Sequence, residues 1–118
     1  LWALRGEPLQ IHGDGAQSRD FTYVDNVVEA NVLAGRVDDV GGEVFNVGCG
    51  ARISLLDIVA RLEGLLGRRF ERQHTPARPG DVRHTLADID KAKRLLGYSP
   101  VVGFDEGFRQ TLAFFRAR

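Results

Sequence analysis

The chain reads as an α/β domain. Three observations predict that class: short apolar, strand-like runs alternate with stretches of helical periodicity, glycine or proline punctuates almost every boundary, and no segment repeats another. The size agrees. A chain of 118 residues, 43% hydrophobic and 27% charged, suits one globular unit spanning residues 1–118 with a modest core.

Taken in order, Leu1-Trp2-Ala3-Leu4 is an apolar stub that reads as the end of a helix, closed by Gly6 and Pro8. Because the chain contains no methionine and opens on that stub, the expectation is a fragment of a longer protein. Leu9 and Ile11 alternate with Gln10 and His12, which predicts a strand ended by the Gly13-Asp14-Gly15 turn. Phe21 to Val24 predicts a second extended segment. Val27, Ala30, Asn31 and Ala34, flanked by Val28 and Leu33, then follow helical spacing up to Gly35. Val44 to Val47, set between Gly41-Gly42 and Gly48, predicts a buried strand.

Ser54 with Asp57 three residues on resembles a capping box, and Leu55, Ile58, Val59, Leu62, Leu65 and Leu66 fall on one stripe until Gly67. Phe70 to His74 predicts another strand, and Thr75 to Asp81 a loop carrying Pro76, Pro79 and Gly80. Asp88 is placed to cap a short helix through Lys91 and Leu95 to Gly97, which Tyr98-Ser99-Pro100 breaks. The last helix starts near Phe104, with Phe104, Phe108, Leu112 and Phe115 on one face and Asp105 and Glu106 at its positive end.

Sixteen basic residues balance sixteen acidic ones, so there is no global footprint for nucleic acid or an anionic membrane. Apolar runs are too short to span a bilayer, and no leader pattern opens the chain; the expectation is a soluble, cytoplasmic protein. Cys49 is the single cysteine and reads as a small packing residue. His12, His74 and His84 lack metal-ligand spacing, and no Gly-x-Ser-x-Gly elbow occurs. Asp88 and Asp90 are explained by helix capping. Gly48-Cys49-Gly50 is a weak match to a dinucleotide turn, because Ile53 occupies the third glycine position.

Two arginines stand out. Arg19 and Arg78 each sit in a turn-forming frame, in Gly13-Asp14-Gly15-Ala16-Gln17-Ser18-Arg19-Asp20-Phe21 and in Arg78-Pro79-Gly80-Asp81. A guanidinium is a rigid fork of donors that keeps its charge, so two of them converging from separate loops are suited to clamping a diphosphate.

The run from Leu9 to Asn31, with Arg19-Asp20-Phe21 and Tyr23-Val24-Asp25-Asn26, resembles the C-terminal part of extended short-chain dehydrogenases, the NAD-dependent epimerases and dehydratases of nucleotide sugars. The likeness continues in order through Phe45-Asn46-Val47-Gly48, Arg78 to His84, Ala87-Asp88-Ile89, Lys91-Ala92-Lys93, Leu96-Gly97-Tyr98 and Glu106-Gly107-Phe108. It is greatest to the UDP-glucose and UDP-N-acetylglucosamine 4-epimerases.

The resemblance implies that Arg19 and Arg78 bind the diphosphate of a UDP-sugar, that Asp81 accepts from ribose hydroxyls, and that backbone groups near Gln10 and His12 read the uracil edge. His12 departs from the family pattern, where an aromatic residue often stands. The resemblance also gives Thr85 a place facing the sugar, where a small residue goes with N-acetylhexosamines. It implies NAD as cofactor, bound mainly by an N-terminal Rossmann part that this chain lacks, and a homodimeric parent.

The catalytic Tyr-x-x-x-Lys pair of the family is absent, since Val27 and Val102 follow Tyr23 and Tyr98 at the fourth position. The 118-residue chain alone is therefore expected to be inactive, and either poorly stable or self-associating. A 4,6-dehydratase, a sugar-acid decarboxylase and a non-catalytic nucleotide-sugar binding module are the alternatives.

Overall fold

A computed structural model describes residues 1–117. Its elements are α1 (Trp2–Arg5), β1 (Leu9–His12), β2 (Ser18–Arg19), α2 (Val24–Ala34), β3 (Ile53–Ser54), α3 (Leu55–Leu66), β4 (Arg72–Thr75), α4 (Asp90–Leu96) and α5 (Phe104–Arg116). Strands β1 and β4 pair in parallel, with Leu9 opposite Arg72 and His12 opposite Thr75. Strands β2 and β3 pair antiparallel, placing Arg19 against Ile53, and a lone bridge joins Ser18 to His84. These pairings draw three distant stretches of chain, residues 9–19, 53–54 and 72–84, into one place.

The local chemistry explains the best-formed helix. Ser54 accepts from the Asp57 amide at 3.1 Å while Asp57 accepts from the Ser54 amide at 3.3 Å, which closes the capping box, and Gly67 ends α3 in the left-handed region at φ 64°. The core sits elsewhere, between α2 and α4: Ala30, Ile89, Ala92, Leu96 and Tyr98 form a buried cluster, with Phe45 and Val47 packed against it. The chain is a slab, 51 × 35 × 19 Å. Its radius of gyration of 16.8 Å exceeds the roughly 13.5 Å of a compact chain this long, so much apolar surface stays open, Val24, Val28 and Val44 included.

Several expectations need correction. Val44 to Val47 forms no ladder with any described segment; Phe45 and Val47 are instead side-chain contributors to the core. Phe21 to Tyr23 has no ladder either, and Val24 already belongs to α2, three residues earlier than the periodicity predicts. Within α2 the buried residues are Asn26 and Ala30, while Val27 and Val28 are exposed. The strand predicted at Phe70 starts at Arg72, with Phe70 buried before it. Asp88 does satisfy a first-turn amide, that of Asp90 at 3.0 Å, but from one position ahead of the cap, which Ile89 occupies.

Two carboxylates act as polar clasps on the slab. The Asp20 carboxylate accepts from the amides of Cys49 (2.8 Å) and Gly50 (2.9 Å), fixing the end of β2 to the loop before β3. Gly48 must be glycine there, since a Cβ would lie 2.6 Å from Asp20 Oδ2 and 2.7 Å from the Ala87 Cβ. Its carbonyl accepts from the buried Tyr98 hydroxyl at 2.9 Å, and burial pushes that phenol's pKa up.

The second clasp is Glu63 on α3. It is 6% exposed, accepts from the Phe70 amide at 3.1 Å, and pairs with Arg72 and Arg69 at 3.0 Å each. The amide first, and the two guanidinium groups after it, hold its carboxyl below the usual value. A depressed carboxyl contributes stability above its unfolded pKa and loses it as pH falls through the folded one. Thermal melts of the intact protein should therefore show a shallower loss of stability on acidification below about pH 4.5 in Glu63→Gln than in the wild type; superimposable acid limbs would remove Glu63 from that role.

Candidate functional site

The crossing of β1, β2 and the loop after β4 creates a polar hollow. It has a volume of about 350 Å³ and is lined by Gln10, His12, Gln17, Leu55, Arg78, Pro79, Gly80 and Asp81. An apolar groove of about 380 Å³ lies apart from it, between Phe21 to Val24, Ile58 and the Phe104, Phe108 and Thr111 face of α5. Recognition of a polar ligand needs converging donors and acceptors, which the first hollow supplies.

Alternation along β1 aims its groups. The Leu9 and Gly13 amides donate across to β4, to Glu71 and Thr75 carbonyls at 2.9 and 2.8 Å, so with a period of two the backbone groups of Gln10 and His12 face the opposite edge. There the His12 carbonyl accepts from Gln17 Nε2 at 2.7 Å. Gln10 lines the hollow.

Arg19 projects from the β2 end. Its Nη1 donates to the carbonyls of Ser18 (2.8 Å) and Arg83 (3.3 Å), which locks the guanidinium to the backbone, and its Nη2 meets Asp81 Oδ1 at 2.5 Å. Arg78 comes from the facing loop and donates to His12 Nε2 at 2.8 Å. Gly80, at φ 79°, supplies the left-handed turn between Arg78 and Asp81, and the Asp81 amide returns to the Arg78 carbonyl at 3.1 Å. Of the two arginines predicted to converge, Arg78 thus lines the hollow beside His12, while Arg19 is tied to Asp81 and to the backbone.

Gln10, His12, Arg78 and Asp81 line the hollow, and Arg19 reaches it through Asp81. Thr85 does not line it. That residue is exposed and its amide donates to the Ser18 carbonyl at 3.1 Å, which keeps its backbone beside β2. Sequence reasoning missed Gln17 and Leu55. Gln17 carried a usable signal, a carboxamide two residues before Arg19 in the same turn frame, whereas Leu55 opens α3 and reads only as a core position.

It also missed Arg83, which grips Asp14 with two nitrogens at 3.2 and 2.8 Å on the hollow's outer rim. The Asp14 carboxyl is held below its usual value, first by the Ala16 amide and then by Arg83. No group of three or more metal-ligating side chains occurs among the described residues. None of their helices is long and apolar enough to cross a membrane.

This mixed slab of helices and short strands aligns with the C-terminal part of extended short-chain dehydrogenase epimerases. The family model described as GDP-mannose 4,6 dehydratase matches residues 3–111, and the chain belongs to that family of NAD-dependent epimerases and dehydratases.

Among curated relatives, the UDP-glucuronate 4-epimerase of Thermodesulfobacterium geofontis is 37% identical over 112 residues, 94% of this chain and 34% of that protein. The UDP-glucose 4-epimerase of Mycolicibacterium smegmatis is 39% identical over 113 residues, 96% of this chain and 36% of its own length. The solved UDP-glucuronic acid 4-epimerase of Bacillus cereus, in complex with UDP-glucuronic acid and NAD, superposes with a TM-score of 0.93 at 37% identity, covering 98% of this chain and 37% of that one. The UDP-glucose 4-epimerase of Thermotoga maritima with UDP-glucose gives 0.91 at 41% identity over 98% of this chain and 37% of its own. The chain therefore spans about a third of the length of these relatives.

The weak dinucleotide match in the sequence is not a free diphosphate seat. The turn that resembles one, Gly48-Cys49-Gly50, has its Cys49 and Gly50 amides occupied by Asp20, and β3 intervenes before the α3 amides begin. The turn is a structural clasp.

Proposed function

We propose that this chain is a single domain, residues 1–118, that forms the nucleotide-sugar-binding part of a cytoplasmic, homodimeric, NAD-dependent UDP-sugar 4-epimerase, with NAD held by the remainder of the protein. The supporting observation is a polar hollow lined by Gln10, His12, Arg78 and Asp81, with Arg19 paired to Asp81. In this reading the two guanidinium groups take the diphosphate, Asp81 takes the ribose hydroxyls, and the Gln10 and His12 edge of β1 takes the base. The chain's residues bind and orient; they supply no proton acceptor for the sugar. Anchoring at the nucleotide suits an epimerase, because a hexose that must present both faces to one hydride carrier has to be held by its non-reacting end.

The test is product analysis of the intact protein with NAD and UDP-glucose, UDP-glucuronic acid or UDP-N-acetylglucosamine. Recovery of the 4-epimer supports the reading. A 4-keto-6-deoxy sugar or a decarboxylated pentose would replace it with a dehydratase or decarboxylase, and no conversion of any sugar would remove it.

Thr85 is the proposed determinant of sugar size, reached by the sugar beyond the hollow, and its small side chain leaves room for an acetamido group. Thr85→Tyr is expected to lower kcat/KM for acetylated substrates relative to plain ones by about tenfold, the lower part of the range for steric discrimination in a pocket. An unchanged ratio would exclude it.

A further inference from the structure

Arg78 carries five N–H donors and no acceptor, so its 2.8 Å contact with His12 Nε2 needs a lone pair on that nitrogen. A neutral imidazole whose Nε2 accepts carries its proton on Nδ1. That nitrogen lies 2.7 Å from Thr75 Oγ1, which receives the proton's hydrogen bond, and the Thr75 hydroxyl in turn points to the Ile11 carbonyl at 3.5 Å. All the donors run one way, from Arg78 through His12 and Thr75 to the backbone of β1.

The backbone holds the series in register. His12 and Thr75 are direct partners across the β1 and β4 ladder, and Gln17 clasps the His12 carbonyl at 2.7 Å. Of the other charged and titratable groups around the ring, Asp81 is paired with Arg19, Asp14 with Arg83, and His74 with the Gly13 carbonyl at 2.8 Å. None of them competes for either nitrogen of His12 in these contacts.

We propose that Thr75 and His12 are a positioning relay for Arg78: Thr75 fixes the Nδ1–H tautomer of His12, whose Nε2 then holds the guanidinium at one angle facing the hollow. An aromatic carbocycle at position 12 lacks the lone pair and cannot serve. Thr75 does not line the hollow, and the lining side chain that its hydroxyl meets is His12. The consequence for binding rests on the nucleotide-sugar reading above, whereas the tautomer does not.

The experiment has two arms on the intact protein. In ¹⁵N-edited imidazole spectra without ligand, assigned by difference against His12→Phe, His12 is expected to show a protonated Nδ1 and a bare Nε2, and Thr75→Val is expected to admit the other tautomer. In calorimetry with UDP, Thr75→Val and His12→Phe are expected to weaken binding roughly two- to tenfold, the range of one lost hydrogen bond, while Thr75→Ser binds as wild type does. A wild-type His12 protonated on Nε2 overturns the relay, and so do wild-type affinities in both Thr75→Val and His12→Phe. A wild-type protein that fails to bind UDP overturns the nucleotide-sugar reading instead, and the spectrum still decides the tautomer.

Discussion

Arg78→Ala in the intact protein is expected to weaken UDP binding by about 1.5–3 kcal/mol, the range for hydrogen bonds that carry a charge, and Arg19→Ala by a similar amount. The two losses have different origins. Arg78 is exposed and tied to a single neutral acceptor, so its removal subtracts donors from the ligand and leaves little else unsatisfied. Arg19 is tied to two carbonyls and to Asp81, so Arg19→Ala also frees a carboxylate in the hollow, which repels an incoming diphosphate. Lysine at either position should recover only part of the affinity, because a point charge does not reproduce a planar fork. Isothermal calorimetry with UDP decides the matter: unchanged affinity in both alanine variants removes the pair from the site.

The second large effect concerns Asn26, which is fully buried on α2. Its Oδ1 accepts from the amides of Val101 and Val102 at 2.8 Å each, and its Nδ2 donates to the Val102 carbonyl at 2.7 Å and lies 3.4 Å from Cys49 Sγ. One carboxamide therefore closes the loop between α4 and α5 onto the helix that packs on the core. Asn26→Ala strands three backbone groups at about 1–3 kcal/mol each when dry; since Val101 is exposed and water reaches it, the expected loss is about 2–4 kcal/mol. Asn26→Asp keeps the acceptor but places an anion in a buried position, so it should not rescue. Urea unfolding of the intact protein checks both, and a loss below about 1 kcal/mol in Asn26→Ala would show that the loop holds without its clasp.

Which parts of this were legible in the sequence follows from where the information sits. Helix α3 was readable because everything that starts and stops it is local: Ser54, Asp57 and Gly67 lie within its own turns. Strands β2 and β3 were not, since each has two residues and exists only because Ser18 meets Ser54 and Arg19 meets Ile53 across more than thirty positions. Val44 to Val47 had a strand's composition without a strand's partner. Asn26 looked like an ordinary polar residue on a helix whose valines belonged inside, and its burial is set by a loop seventy-five residues away. The arginines of the site were legible by residue type and turn frame, whereas their bonding to His12 and Asp81 depends on how β1 and β4 align.

In the free protein, Arg19 and Asp81 already neutralise each other at 2.5 Å, each about a third exposed. On the nucleotide-sugar reading, ligand entry beside that pair is an exchange of partners and not the filling of a bare charge. A nucleoside diphosphate offers something to both members, oxygens to the guanidinium and hydroxyls to the carboxylate, so the pair parts without leaving either one bereft. Chloride or a stray carboxylate satisfies only the arginine and strands the acid beside it. On the nucleotide-sugar reading the pair thus screens anions by what accompanies their charge, through a contact that, taken alone, stabilises the fold by under ~1 kcal/mol.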